Sequence, residues 1–512
     1  METLIQQMLQ AGFYPHACKE PIQLIQTHCS YVLLTGDFVY KLKKPVNFGF
    51  LNYSTLELRR NFCHEELRLN QRGAAELYLE VLPITQTNEQ YQLNGTGEPV
   101  EYALKMREFP SEGLFSTMFE NALLDESDIE ELGRVVARYH SKTETNDYIR
   151  SFGEIPQVRA AFDENYSQTT NYIGGPQTAT QFEETKQYTD KFFAERTEIF
   201  QTRMANNFIR ECHGDLHMGN ICMWQNQILL FDCIEFNEPF RFVDVMYDVA
   251  FTVMDLEARQ RQDLANVFLN TYVEQTGDWE GLQVLPLYMS RQAYVRAKVT
   301  SFLLDDPGVP AAVKEHSAQT AAAYYTQAWE YTQPRQGQLI LMSGVSGSGK
   351  STAARHLAKL CGAIHLRSDA VRKHLGSVPL YERGGSDLYS EAMTAKTYAR
   401  LLELGILLAN QGFKVILDAK YDRAALRGDA LAQSQSHNIG LQIIECTAPV
   451  EVLRERLHNR TGDIADATAD LLSSQLQNAE PFTSSEKNYL KTLDTTRPLT
   501  AQLDGVISSI AI

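Results

Sequence analysis

The sequence predicts two unlike folds on one chain: an α+β part over residues 1–331 and an α/β part with a parallel sheet over residues 339–512. Three observations lead there. Short β-type runs separated by tight turns fill residues 20–110, and helical periodicity then lasts to about Tyr331. From Gln338 onward, apolar runs of strand length alternate with helical segments, as in a parallel sheet covered on both faces. Between the two parts, TQPRQGQ (332–338) is polar, holds Pro334 and Gly337, and reads as a linker. At 512 residues the chain is too long for one ordinary core, and its halves share no repeat.

In order, METLIQQMLQ is an amphipathic helix with Leu4, Met8 and Leu9 on one face. QLIQT, YVLLT and FVYKLK are strands, Gly36 and Asp37 form a hairpin turn, and Pro45 ends the third strand. A charged helix is expected over 56–72, then strands near Leu77–Ile84 and at 101–109, with a turn at Asn94 and Gly95. These make a small lobe over about 20–110. The large lobe, 111–331, is mainly helical; Ser127 and Glu130 read as a capping box, followed by Leu132, Val135, Val136 and Tyr139. One interruption, at 208–236, breaks the helical pattern with short apolar runs and polar turns. In the second part strands are expected at 338–343, 363–367, 413–418, 440–446 and 504–510, with a long helix around 390–411.

Hydrophobic residues make up 44% and charged residues 22%, as in soluble globular proteins. No apolar run approaches spanning length, so no membrane partner is expected. The N-terminus lacks the order of a signal peptide, and eight scattered cysteines form no C-x-x-C pair, which points to reduced thiols and a cytoplasmic protein. A net charge of −17 argues against a long nucleic-acid footprint, yet leaves room for a local basic pocket holding one phosphate or an RNA end. Nothing in the pattern sets an oligomeric state.

The firmest motif is GVSGSGKST, with an apolar strand before it and a helical pattern after it. Glycines there let the backbone wrap a phosphate, and the amides at the helix start point at it. Gly344, Ser346, Gly347, Ser348, Gly349, Lys350, Ser351 and Thr352 are therefore expected to hold a nucleotide triphosphate. Lys350 reaches the β- and γ-phosphates and Ser351 ligates Mg²⁺. FKVILDA ends in Asp418, a second candidate metal ligand. No glutamate follows Asp418 and no N-K-x-D is visible, which disfavours motors and switch GTPases. In HLRSDAVRKHL, Asp369 and Arg372 sit just past a strand end, where ligands gather in such sheets. A carboxylate there takes the proton of an acceptor hydroxyl, and an arginine three residues on holds an anionic acceptor group. Of the arginines in VLRERLHNRTGD, Arg456 and Arg460 are candidates to close over the phosphates or stack on adenine.

A second set lies upstream, in FIRECHGDLHMGNICMWQNQILLFDCIEFNEP. Phosphoryl transfer needs a carboxylate for the acceptor proton, oxygen ligands for Mg²⁺ and a lysine for the phosphates. Asp215 suits the base; Asn220 and Asp232 suit the metal, since hard oxygens favour Mg²⁺ over zinc.

HGDLHMGN followed by LLFDCIEF resembles the catalytic and metal-binding loops of the aminoglycoside phosphotransferase-like (choline kinase-like) branch of the protein-kinase fold, over roughly 20–330. The resemblance implies a two-lobed kinase-like domain with ATP in the cleft, Asp215 as base, and Asn220 and Asp232 on Mg²⁺. It implies structural roles for Asp244 and Asp248 in DVMYDVAF, and a hinge beside adenine at KMREF (105–109). The phosphate-anchoring lysine would be Lys41, with Lys43 on the same strand face as its rival, and its partner Glu66, with Glu65 as the alternative. As a departure, no glycine-rich loop joins the first two strands; the turn is Thr27, His28, Cys29 and Ser30. GVSGSGKST, SDAVRK, VILDA and RERLHNR together resemble small P-loop kinases of the polynucleotide kinase, gluconate kinase and zeta-toxin group. That implies Asp369 as general base, Arg372 as acceptor anchor and lid arginines downstream. The order of the two parts is similar to a family of two-domain bacterial proteins. The expected function is a bifunctional ATP- and Mg²⁺-dependent phosphotransferase acting on hydroxyls of small molecules, nucleotides or RNA ends. The alternatives are a P-loop kinase or ATPase regulated by a non-catalytic kinase-fold domain, and a toxin-like regulatory kinase.

Overall fold

The computed structural model describes residues 1–510. The chain packs as two compact units, one made of Met1–Asp255 with Arg291–Tyr325, the other of Leu256–Ser290 with the chain from Thr326 onward.

In the first unit an antiparallel sheet of six strands runs in the order β1-β2-β3-β6-β4-β5. The strands are β1 (Gln23–Gln26), β2 (Ser30–Leu34), β3 (Phe38–Lys43), β4 (Tyr78–Thr87), β5 (Gln90–Leu93) and β6 (Pro99–Arg107). The two-residue period of a strand decides what β3 does with its side chains. Tyr40 and Leu42 go to one face, into a core with Leu4, Ile5 and Met8 of the helix Glu2–Met8. Val39, Lys41 and Lys43 go to the other face, where Val39 packs against Ala74 at the end of the helix Leu56–Ala74. Strand β5 was not expected from the sequence. It forms because Asn88 and Glu89 both take left-handed φ (48° and 64°) and turn β4 back on itself as a tight hairpin.

The rest of the first unit is mainly helical, with helices such as Glu126–Lys142, Ile155–Thr169 and Ala179–Glu195. The capping box expected at Ser127 and Glu130 is corrected. Asp125 caps the helix by accepting the amides of Ser127 and Asp128, and Asp128 returns a bond to the amide of Asp125. An aspartate two residues earlier accepts two amides where a serine hydroxyl would take one. The interruption at 208–236 becomes two small antiparallel ribbons: β7 (Ile209–Glu211) with β10 (Phe242–Asp244), and β8 (Ile221–Trp224) with β9 (Gln227–Leu230).

The second unit is an α/β P-loop fold. Its five strands are β11 (Gln338–Ser343), β12 (Ile364–Arg367), β13 (Lys414–Asp418), β14 (Gly440–Thr447) and β15 (Leu490–Asp494). They are all parallel, in the order β12-β13-β11-β14-β15. The strand expected at 504–510 is corrected: those residues belong to the helix Leu499–Ile510, and the last strand is β15. Leu499, Leu503, Val506 and Ile507 recur at helical spacing and pack on the core, which outweighs the local β-branched character. The unit also takes in Leu256–Ser290, residues that lie upstream of the polar stretch at 332–338. Among the described residues no helix is long and apolar enough to cross a membrane.

Central β11 is buried on both faces, with Ile340 and Met342 set against Ala353, Leu357, Ile416 and Ile444. Ile340→Ala is expected to cost about 2–5 kcal/mol of this unit's stability, seen as a lower urea midpoint for its unfolding transition.

Candidate active sites

In the first unit, Lys41 Nζ lies 2.7 Å from Glu66 Oε1 and 2.8 Å from Asp232 Oδ1. Lys43 Nζ sits 2.6 Å from the other Glu66 oxygen and also bonds Glu235. The two lysines differ in access: the Lys41 side chain is 18% exposed, whereas that of Lys43 is 1% exposed and donates onward to Tyr53. Lys41 is therefore the more accessible of the two, and Lys43 belongs to the interior. Glu65 points elsewhere, pairing with Arg68 and Arg241 at 2.7 and 3.0 Å. Burial alone would raise the Glu66 carboxyl, but the two ammonium groups outweigh it and bring it from 4.5 down to about 2.

The loop with Asp215 is fixed from behind. Asp248 accepts the amides of His213 and Gly214 at 2.7 and 2.8 Å, and His140 Nε2 lies 3.2 Å from it. Ligand atoms of His140, Cys212 and Asp248 converge within 4.8 Å. Both Asp248 oxygens are already committed, so this cluster fastens the loop. Asp244 likewise pairs with Arg203 and accepts the amide of Met246. Asn220 Nδ2 donates to Asp215 O and Oδ2 at 2.9 and 3.0 Å. With its nitrogen spent on Asp215, the amide oxygen of Asn220 is the atom left to meet a cation. Burial would raise the Asp215 carboxyl, but His217, 3.4 Å away, and His213 hold it below the ordinary range. Asp232 adopts a left-handed φ of 62°, its amide accepted by Tyr78 Oη, while Asn70 Oδ1 accepts the next amide, Cys233 N, at 2.9 Å. The structure thus gathers Lys41, Glu66 and Asp232 by direct contact and joins Asp215 to Asn220. Hard oxygens from Asn220 and Asp232 fit Mg²⁺.

In the second unit the P-loop leaves β11 and enters the helix Lys350–Cys361. Two of its glycines are required by space: a Cβ on Gly344 would lie 2.7 Å from the carbonyl of Cys446, and one on Gly347 2.8 Å from that of Leu453. Both also take positive φ (141° and 81°). Arg456 braces the loop from outside, donating to Gly347 O at 3.3 Å and to Thr495 Oγ1 at 2.8 Å, while Thr495 Oγ1 donates to Ser348 O at 2.7 Å. Arg460 lies half-buried beyond the helix Val450–His458, its charge felt by Asp463. The amide of Ser346 is met by Gln475 Oε1 at 2.9 Å. Ser351 is half-buried and Thr352 exposed at the helix start.

Asp418 ends β13 with its Oδ2 3.0 Å from His365 Nε2, while its Oδ1 is buried without a hydrogen-bond partner. A buried, unsatisfied carboxylate oxygen next to a P-loop suits a Mg²⁺ shell. Burial would raise the Asp418 carboxyl, yet His365, Lys350 and Arg367 hold it far below the usual range. Asp369 goes the other way: burial lifts its carboxyl above the ordinary value despite Arg367, Lys350 and Arg372, and Asp418 adds to the lift. Two carboxylates near one lysine are thus driven apart in proton affinity, one kept ionised and one readier to take a proton. Arg372 is buried, donates to Leu388 O and Thr394 Oγ1 at 3.1 Å each, and lies over the Tyr389 ring. A cavity of about 660 Å³ is lined by Gln275, Lys373, His374 and Tyr381 among others.

Several participants escaped sequence reasoning. His365 and Arg367 sit in the run that precedes Asp369, and their inward-facing polar character on a buried strand was the available signal. Glu235 and Tyr53 around Lys43, and Glu211 beneath Arg68, Arg72 and Arg241, left no signal because their partners are distant in sequence.

A family model described as an AAA domain matches residues 339–482. Uncharacterised proteins of Mycobacterium tuberculosis and Mycobacterium bovis are 30% identical to the chain over 457 residues, covering 88% of it and 89% of each relative. Among solved structures, a choline/ethanolamine kinase family protein from Mesorhizobium loti is similar over 65% of this chain and 99% of its own, at 10% identity and a TM-score of 0.39. A gluconokinase from Sinorhizobium meliloti is similar over 33% of this chain and 88% of its own, at 24% identity and a TM-score of 0.24.

Glu66 yields an acid-stability prediction. Its folded pKa is depressed, so its contribution is complete above its ordinary value of 4.5 and is lost as pH falls toward about 2. Glu66→Gln is expected to lower the urea midpoint at neutral pH and to flatten its decline across that acid window.

Proposed function

The chain belongs to one family with the uncharacterised mycobacterial proteins that it matches over most of their length, and from its two sites we propose an ATP-dependent phosphotransferase with two Mg-ATP sites. The observation that carries the reading is Lys41, held between Glu66 and Asp232, with Asp215 and Asn220 joined on the neighbouring loop. Lysine and carboxylates so disposed serve a nucleotide's phosphates and an acceptor's proton; a binding module has no need of the base.

In the first site Lys41 holds the phosphates, and Glu66 keeps its ammonium extended toward the cleft. Asp215 takes the proton of the attacking hydroxyl, with His217 and Asn220 fixing the carboxylate's orientation. In the second site the P-loop amides and Lys350 hold the phosphates, Asp369 is the base, and Arg372 and Tyr389 stand on the acceptor side. Asn220 and Asp232 in the first site, and Ser351 and Asp418 in the second, would hold Mg²⁺, which would supply positive charge to offset that of the phosphates. The acceptors are hydroxyls on small molecules, on nucleotides or on an RNA end. All eight cysteines are free thiols, which supports a reducing, cytoplasmic location.

Labelled ATP and pools of hydroxyl acceptors test the reading. Asp215→Ala is expected to remove one acceptor-dependent activity by at least about 100-fold, and Asp369→Ala the other, each leaving its counterpart intact. If Asp215→Ala is silent with every acceptor, the first unit is a regulatory or binding module beside a P-loop kinase.

A further inference from the structure

The helix Gln262–Thr276 lies in the second compact unit, far upstream of the P-loop in sequence. It runs along β12, which is the edge strand of the parallel sheet. An edge strand exposes backbone groups that need partners. Here asparagine side chains supply them. Asn266 Nδ2 and Asn270 Nδ2 donate to Ala363 O at 2.9 and 3.0 Å, and Asn270 Oδ1 accepts the amide of His365 at 2.7 Å. One turn later, Glu274 Oε2 lies 3.7 Å from Arg367 Nη1, and the backbone carbonyl of Glu274 meets His374 Nε2 at 2.8 Å. Gly277 ends the helix with a left-handed φ of 72°, and a Cβ there would lie 2.8 Å from the His374 ring.

These contacts bracket Asp369. His365 and Arg367 precede it and His374 follows it, and all three are held by the same upstream segment. Two of them, His365 and Arg367, also interact with the acidic residues of the site. His365 is the partner of Asp418, and Arg367, bonded as well to Asp463, lends its charge to both Asp418 and Asp369. Arg367 Nε is buried and has no hydrogen-bond partner of its own. A guanidinium so placed depends on its neighbours for its aim.

We propose that Asn270 and Glu274 are positioning residues of the P-loop phosphotransfer site, setting the end of β12 so that His365, Arg367 and Asp369 stand correctly to Asp418 and Lys350. The proposal rests on the phosphotransfer reading of that site. It also means that residues 339–512 alone lack part of their own catalytic scaffold. Groups that orient the residues contacting a metal or substrate typically cost about 10–100-fold in metal affinity or activity when removed.

The test uses the full chain in an Asp215→Ala background, so that ATP turnover reports on the P-loop site. Release of labelled phosphate with water as acceptor is measured beside the affinity for a non-hydrolysable ATP analogue and the melting temperature. Asn270→Ala and the isosteric Glu274→Gln are each expected to lower turnover by at least about tenfold, with analogue affinity at the parent's value, melting temperature unchanged for Glu274→Gln, and for Asn270→Ala only the modest fall that an unpartnered His365 amide brings. Unchanged turnover overturns the proposal, and so does a parallel loss of turnover, affinity and melting temperature, which marks a purely structural role. Lys350→Met separates the two layers. If it abolishes turnover while the Asn270 and Glu274 variants are silent, only the positioning role falls. If Lys350→Met is itself silent, the phosphotransfer reading falls, and the positioning role with it.

Discussion

Glu66 carries a negative charge in the interior of the first unit with an ammonium group on each of its oxygens. A buried carboxylate without partners would take up a proton; with two lysines it stays ionised well into acid. Much else in that unit follows from this match. Lys43 needs Glu235 and Tyr53 to complete its own shell, and this fixes the segment after Asp232. Lys41 gives a second N–H to Asp232, whose side chain is 46% exposed. One charge balance thereby ties a strand, a helix and a loop that are far apart in sequence.

The second unit solves the same problem with a different division of labour. Its phosphate-binding groups are backbone amides at a helix start, arranged by glycines that tolerate positive φ and close approach. Its side-chain charges collect at the carboxyl ends of β12 and β13, where His365, Lys350 and Arg367 hold the Asp418 carboxyl low while burial lifts that of Asp369. Both units bring a lysine together with carboxylates and other hard oxygens, on scaffolds of different architecture.

Some of this was legible in advance because it is local. Strand period, helix period, the hairpin turn at Gly36 and the P-loop are all patterns within a few residues, and β1–β3, β11–β14 and the helix after the P-loop appear where those patterns lie. Reading failed where a local signal was ambiguous. The C-terminal run fits a strand by β-branching and a helix by spacing, and packing on the core decided for the helix. It also failed where a single polar residue had several plausible partners, as with the cap at Asp125.

By itself the sequence determined the two fold classes, the phosphate loop and the short list of groups able to move a proton or hold a cation, because each follows from spacing along the chain. Only the tertiary structure decided which lysine is the more accessible, which glutamate meets it, and that Asn270 and Glu274 contact His365 and Arg367 just before Asp369. Lys41 and Lys43 share a strand face, and Glu65 and Glu66 are adjacent, so no pattern separates them. Burial and the geometry of the opposing elements do, since a charge settles where its desolvation is matched by a partner that the fold brings from elsewhere.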